Sequence, residues 1–194
     1  MKKYQIIYAD PPWDFGGRKL NASTGGKEIN DHYPTMLDEQ IKNLPIKDLA
    51  DKDCALFMWT VHSKLDVAIK IMEAWGFRYI TIGFEWLKRT EKGKIVCFMG
   101  AWTTGGGIEL CLFGKRGAPK RQSKTIRRLV DAPRTHHSAK PPEVRNRIVQ
   151  LMGDVPRIEL FAREKTEGWD VLGNDIDGKD INESLIKLSN EISN

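Results

Sequence analysis

Short apolar segments alternate with segments of helical period along this chain, and this alternation most constrains its fold. The strand-like segments are β-branched and aromatic, as at 3–9 and 54–60. Apolar residues recur every three or four positions in the segment that Gly76 ends, which predicts a helix. Further strands are predicted at 77–88, 108–114, 157–162 and 169–172, and further helices at 36–43, 141–152 and 181–192. The alternation predicts an α/β fold with a largely parallel sheet.

The size and composition are those of one globular domain. The chain has 194 residues, of which 40% are hydrophobic and 29% are charged. No run of 18 apolar residues occurs, so we expect no transmembrane helix, and the apolar start is too short for a signal sequence. The three cysteines form no CxxC pair, which disfavours a disulfide scaffold or a zinc site and favours a reduced, cytoplasmic setting.

The positive charge is concentrated in one segment, between Lys115 and Arg134. It has a net charge of +7 in a chain of +5, so the remaining residues carry −2. Such one-sided charge predicts contact with a phosphate backbone, and a solvated loop is the alternative. The basic residues are Lys115, Arg116, Lys120, Arg121, Lys124, Arg127, Arg128 and Arg134, with Asp131 as the single acid.

Several common kinds of site lack their sequence motifs. Gly26-Lys27 is followed by Glu28, where a phosphate-binding P-loop needs Ser or Thr. The glycines at 105–107 precede a strand, whereas a dinucleotide-binding loop follows one. His136 and His137 have no carboxylate or cysteine cluster nearby in the sequence, so we expect no metal site.

Asp10-Pro11-Pro12-Trp13, at the end of the first predicted strand, is the strongest candidate for a catalytic site. Two prolines fix the backbone and leave carbonyl groups without competing N–H groups, while Asp10 adds a carboxylate acceptor. These acceptors suit both hydrogens of an exocyclic amine, and the indole of Trp13 offers a flat apolar face. An ordinary Pro-Pro turn with a capping Asp and a core Trp is the alternative.

An ordered set of motifs gives the chain a resemblance to a known family. The motifs follow one another as ADPPW at 9–13, YPTM at 33–36, LFMWT at 56–60, FEWLK at 84–88, GGIELCLFGKRG at 106–117, HSAKP at 137–141, RIELFARE at 157–164 and GWDVLGND at 168–175. In this order they resemble the adenine-N6 methyltransferases related to the 70-kDa catalytic subunit of mRNA adenosine methyltransferase, whose small bacterial and phage members act on DNA.

The resemblance implies a fold, a domain organisation and a cofactor. It implies a circularly permuted, Rossmann-like methyltransferase fold with helices on both faces of the sheet. Residues 1–178 would form the single domain, and 179–194 a terminal amphipathic helix, packed on it or partly mobile. The implied methyl donor is S-adenosylmethionine.

The resemblance also implies roles for individual residues. Asp10, Pro11, Pro12 and Trp13 would form the catalytic turn, with Tyr33 and Glu109 beside the substrate base. Cofactor contacts would come from Asp10, Lys140, Glu159, Arg163, Asn174 and Asp175, although Glu159 could instead only brace the site. Asp175 stands where the family usually has Glu or Gln.

The expected reaction is transfer of methyl to the N6 amine of adenine in nucleic acid, with DNA favoured over RNA by the small size of the chain. RNA methylation, cytosine-N4 methylation and a non-catalytic subunit of a heterodimer are the alternatives. A base in a duplex would have to be flipped out, and segments 14–34 and 115–134 are expected to close over it. The sequence leaves open whether the chain acts alone, as a homodimer or as a heterodimer.

Overall fold

A computed structural model describes residues 3–15, 35–99, 104–134, 139–178 and 180–193. The strands are β1 (Tyr4–Ala9), β2 (Ala50–Thr60), β3 (Arg78–Arg89), β4 (Cys97–Met99), β5 (Thr104–Gly106), β6 (Ile108–Arg116), β7 (Leu129–Pro133), β8 (Arg157–Leu160) and β9 (Asp170–Leu172). The helices are α1 (Asp38–Lys42), α2 (Leu65–Ala74), α3 (Pro142–Met152), α4 (Asn174–Asp177) and α5 (Ile181–Ser193). Two short 3-10 turns lie at Ile46–Asp48 and His62–Lys64.

Seven strands form one mixed sheet in the order β7-β3-β6-β2-β1-β8-β9. β6 is antiparallel to both of its neighbours, β2 and β3, and the other four pairings are parallel. Six strands therefore run in one direction. We call the end of the sheet where these six finish the carboxyl end, and the opposite end the amino end. The prediction of a largely parallel α/β sheet is confirmed.

Each face of the sheet is covered by helices. Side chains alternate along β2, so that Leu56 and Met58 face α1, α2 and α5, whereas Phe57 and Trp59 face α3. Helices on both faces are thus confirmed. The carboxyl end remains the edge where side chains from several strands can meet around a ligand.

Two pieces of β structure lie where the sequence predicted loops. β4 and β5 form a separate two-stranded hairpin within the predicted loop before residue 107. β7 lies inside the basic segment, and five residues flanked by charge give little period-two signal. It pairs on one side only, with β3, and the Trp86 indole donates to the Ala132 carbonyl at 2.9 Å. A cross-strand contact of this kind cannot be seen in local sequence.

The terminal helix α5 buries Ile181 and Leu185 in the core on the α1 and α2 side. None of the helices in the described part of the chain is long and apolar enough to span a membrane. The boundary at residue 178 and the permuted order of motifs stay predictions.

Candidate active site

The Asp-Pro-Pro-Trp turn leaves β1 at the carboxyl end of the sheet and is fixed by three hydrogen bonds. The Trp13 N–H donates to the Pro11 carbonyl at 2.9 Å, and the Met36 N–H donates to the Pro12 carbonyl at 2.9 Å. The Trp13 indole donates to the Trp59 carbonyl at 3.2 Å. A carbonyl oxygen has two lone pairs, so Pro11 can still accept a second hydrogen.

Trp13 lies in the core rather than at an open surface. Its side chain is 6% exposed and packs in the cluster on the α1 and α2 side. This burial leaves almost no face of the indole on which a base could stack. The structure therefore gives Trp13 the position of a brace for the turn.

A chain of alternating charges crosses the carboxyl end. Lys140 donates to the Asp10 carboxylate at 2.6 Å and lies 3.4 Å from the Glu109 carboxylate. The other oxygen of Glu109 accepts a short hydrogen bond from Lys88. The four side chains come from separate parts of the sequence: the end of β1, the start of β6, the end of β3 and the segment before α3. Two partly buried cations therefore balance two partly buried carboxylates.

This pairing and the burial around it shift the pKa values of Asp10, Glu109 and Lys140. Burial raises the pKa of Asp10, although Lys140 opposes part of that effect. Burial also acts on Glu109, but the attraction of Lys140 and Lys88 is larger in sum and lowers its pKa. Lys140 is held charged by its two carboxylates, which raise its pKa despite burial. A set of perturbed groups at the carboxyl ends of strands is typical of a functional site.

Two tryptophans flank the charge chain. Lys140 lies over the ring of Trp59, with its ammonium 5.5 Å from the ring centroid, and Lys88 lies 5.0 Å from that of Trp86. The indole of Trp59 donates to the Tyr8 hydroxyl at 2.6 Å, which fixes the ring that faces Lys140. Aromatic faces stabilise cations at such distances.

The turn after β8 brings the remaining predicted cofactor residues to the same end. Phe161, directly after β8, has a φ of 62°, a left-handed conformation that is rare for a bulky residue. Arg163 is close enough to Asp10 to lower the pKa of its carboxyl group. Asn174 and Asp175 follow β9 and open α4, and both are exposed.

Glu159 has a different position from the other predicted cofactor residues. It lies within β8, is 6% exposed, and pairs with Arg145 of α3 at 2.9 Å without the geometry of a hydrogen bond. Burial raises its pKa to about 7, and Arg145 opposes this. Arg145 also contacts the exposed Glu164 at 3.3 Å. This position fits a brace between β8 and α3.

The structure does not bring the whole basic segment to the candidate site. Lys115 and Arg116 end β6 at the amino end, opposite Ala55 and Cys54 of β2, and Arg116 donates to the Lys47 carbonyl at 2.7 Å. Lys120 and Arg121 line a cavity at the same end. Lys124, Arg127 and Arg128 lie between this cavity and the start of β7. The contact of these residues with nucleic acid and the closure of segment 115–134 over a base stay predictions.

Some predicted features lie outside the described residues. These are Tyr33, His136, His137 and the greater part of the 14–34 loop. Among the described residues, no three His, Cys, Asp or Glu side chains are grouped as metal ligands.

Sequence reasoning missed Lys88, Trp59 and Arg145. Lys88 and Trp59 belong to the motifs FEWLK and LFMWT, which the sequence shows. The sequence does not show that Lys88 contacts Glu109 or that Trp59 contacts Lys140. Arg145 is one of several charged residues on α3, and nothing local distinguishes it. The contacts of all three depend on strand order, which the sequence does not show.

Comparisons with known proteins identify the family of this chain. The family model described as MT-A70 matches residues 4–175. A Type II methyltransferase, M.MunI, of a Mycoplasma species is 34% identical over 189 residues, which cover 90% of this chain and 78% of that protein. The N(6)-adenosine-methyltransferase catalytic subunit METTL3 of Homo sapiens is 28% identical over 181 residues, which cover 91% of this chain and 29% of that protein.

A third relative, the N(6)-adenosine-methyltransferase MT-A70-like protein of Arabidopsis thaliana, is 27% identical over 94% of this chain and 25% of its own length. The chain thus spans less than a third of the two N(6)-adenosine-methyltransferases and most of M.MunI. The family model covers nearly all of the sheet and every motif of the resemblance, which is therefore confirmed. The chain belongs to the MT-A70 family of methyltransferases.

Proposed function

We propose that this protein transfers the methyl group of S-adenosylmethionine to the N6 amine of adenine in DNA. The observation that carries the proposal is the Asp10 carboxylate beside the Pro11 carbonyl on a fixed turn, with Lys140 bonded to Asp10 at 2.6 Å. The N(6)-adenosine-methyltransferase relatives favour adenine. The Type II methyltransferase, matched over most of its length, favours DNA.

The two acceptors of the turn suit an attacking amine. Asp10 and the Pro11 carbonyl would each accept one hydrogen of the exocyclic NH2 group, which leaves the nitrogen lone pair directed away from the turn. The amine nitrogen would become positive as its bond to the methyl carbon formed and the sulfur–methyl bond broke, and the nearby carboxylate would stabilise that charge. One proton then leaves the amine. The raised pKa of Asp10 makes its carboxylate a better acceptor for that proton.

The residues present fit the proposed cofactor. Asp10 and Lys140 place opposite charges side by side, which complements a methionyl group that carries both an ammonium and a carboxylate. Arg163, Asn174 and Asp175 would hold the ribose and adenosine end, and Glu159 would brace β8 beneath it. When bound, S-adenosylmethionine supplies a methyl group on a positively charged sulfur. Lys140 is a suitable partner for the carboxylate because it acts as a buried point charge.

Transfer of labelled methyl to single-stranded DNA, duplex DNA and RNA in parallel, followed by separation of the nucleosides, tests the proposal. We expect N6-methyladenine in a DNA pool and none with Asp10→Ala. N4-methylcytosine would overturn the choice of base, and label confined to RNA the choice of nucleic acid. Cofactor binding without transfer to any pool would indicate a missing partner subunit, and no cofactor binding would indicate a non-catalytic subunit.

A further inference from the structure

The basic segment is attached to the body of the protein along its length. Beyond the amino end it crosses α3, where Gln122 and Ser123 donate their N–H groups to the Leu151 carbonyl at 2.7 and 3.4 Å. Arg147 of α3 then donates to the carbonyls of Arg127 and Leu129, both at 2.7 Å. Ile126 packs against the core on the α3 side. These contacts hold the backbone of the basic segment in place on α3. A loop that only served solubility would not need such contacts.

Most cations of this segment are exposed to solvent. Within the described residues, no carboxylate oxygen lies within 4 Å of six exposed side chains that we call the basic stripe: Lys120, Arg121, Lys124, Arg127, Arg128 and Arg134. The single acid of the segment, Asp131, is neutralised by Arg89, which contacts both carboxylate oxygens at 2.5 and 2.7 Å. The charge of the stripe is therefore available to a ligand.

The stripe leads from one end of the sheet to the other. Lys120 and Arg121 border a cavity of about 470 Å³ at the amino end, beside Asp51 and Asp53. At the opposite end, the Arg134 N–H donates to the Arg89 carbonyl at 3.0 Å, one residue from Lys88 of the charge chain. β7, the strand within this part of the chain, has five residues. Strands rise about 3.3 Å per residue, so β7 alone spans about 17 Å, the length of about five base pairs.

We infer that the basic stripe binds the sugar-phosphate backbone of nucleic acid on one side of the target nucleotide, and leads that flank from the carboxyl end across α3 toward the amino end. The inference rests on the proposed function only for the position of the target base. It differs from a segment that closes over that base, because the stripe runs away from Asp10. Phosphates are the class of ligand that a row of exposed Lys and Arg side chains attracts when, as in the described part of this chain, no carboxylate is paired with them.

Binding of a fluorescein-labelled 24-base-pair duplex of random sequence, measured between 50 and 200 mM NaCl, tests the stripe without any need for methylation. In Lys124→Gln/Arg127→Gln/Arg128→Gln we expect the slope of log K against log salt to fall by about 2–3, and affinity at 100 mM to fall about 10- to 100-fold. Lys42→Gln/Lys70→Gln/Lys187→Gln removes equal charge from the helices on the other face and serves as the control. A wild-type slope in the stripe variant would overturn the inference.

Truncated substrates test the direction of the stripe. The substrate is a DNA that the protein methylates, with twelve nucleotides on each side of the target adenine. We expect KM to rise about 10-fold or more when the flank on the stripe is shortened to two nucleotides, and to stay unchanged when the opposite flank is shortened. The stripe variant should show the high KM with either substrate, at wild-type kcat. Equal responses to the two truncations would contradict the inference. Absence of methylation in every DNA would instead count against the proposed function, and the salt series would still decide on the stripe.

Discussion

The carboxyl end of the sheet and the basic stripe use the same residue types in opposite ways. At the carboxyl end, Lys140 and Lys88 are mostly buried and each is paired with a carboxylate. In the stripe, the cations are exposed, and no carboxylate among the described residues is paired with them. Buried, paired charges hold fixed positions and respond little to salt, whereas exposed charges act at longer range and are screened. Substitutions at the carboxyl end should therefore change the chemical step, and substitutions in the stripe should change affinity.

The largest effect should come from removal of the Asp10 carboxylate. We expect Asp10→Ala to lower kcat by about 10³-fold or more, because it removes both an acceptor for the amine and the partner of Lys140. Asp154→Ala, which removes an exposed carboxylate that pairs with Arg157, is the matched control and should stay near wild-type activity. Single-turnover methyl transfer measures the effect, and circular dichroism checks the fold. Near-normal turnover in Asp10→Ala would overturn the proposed reaction.

Lys140→Met should have the next largest effect. It leaves Asp10 and Glu109 without the cation between them and removes the expected partner of the methionyl carboxylate. We expect a loss of about 10²–10³-fold, seen both in turnover and in cofactor affinity by calorimetry. Lys120→Met, in the stripe, should leave cofactor affinity unchanged. Wild-type cofactor affinity in Lys140→Met would separate Lys140 from the cofactor site.

Glu159 should make the stability of the fold depend on pH. Burial raises its pKa from an ordinary 4.5 to about 7. Between these values the folded protein holds the proton more tightly than the unfolded chain, so this residue's contribution to the free energy of unfolding falls as pH rises. The total fall is about 3 kcal/mol, which is about 10²-fold in the unfolding equilibrium.

In Glu159→Gln this part of the pH dependence should disappear, since glutamine does not titrate. Urea unfolding between pH 4.5 and 8 measures the difference, and the variant should become the more stable protein toward pH 8. Glu164→Gln, which alters the exposed partner of Arg145, is the control. If the free energy of unfolding changes with pH in the same way in the wild type and in Glu159→Gln, burial does not raise the pKa of Glu159.

The sequence predicted which segments form strands and helices better than it predicted which of these elements lie side by side. The strand before Asp10, the helix that Gly76 ends and the site at the carboxyl end all follow from local pattern and chain order. The pairing of Glu109 with Lys88 does not, because it depends on β6 running antiparallel beside β3. The basic segment shows the same limit. Its charge is plain in the sequence, but its path across α3 is set by tertiary hydrogen bonds to Leu151 and Arg147.

The smallest of these effects should come from Lys88, which we expect to act through Glu109. Lys88 and Lys140 together hold the pKa of Glu109 below its usual range. In Lys88→Gln one of these cations is lost, so the pKa of Glu109 rises, and a larger fraction of Glu109 is protonated and no longer holds Lys140 in place. We expect kcat to fall about 10-fold at neutral pH and the acid limb of the kcat profile to move to higher pH.

Two further variants separate positioning from mere packing. Lys88→Arg keeps the cation and should restore the acid limb, whereas a loss of packing alone would not be repaired by restored charge. Lys94→Gln removes an exposed lysine of the neighbouring turn and should change neither kcat nor the pH profile. An acid limb that stays in place in Lys88→Gln would show that Glu109 does not need its second cation. The pH dependence of kcat would then be set by Asp10 and Lys140, without a contribution from Lys88.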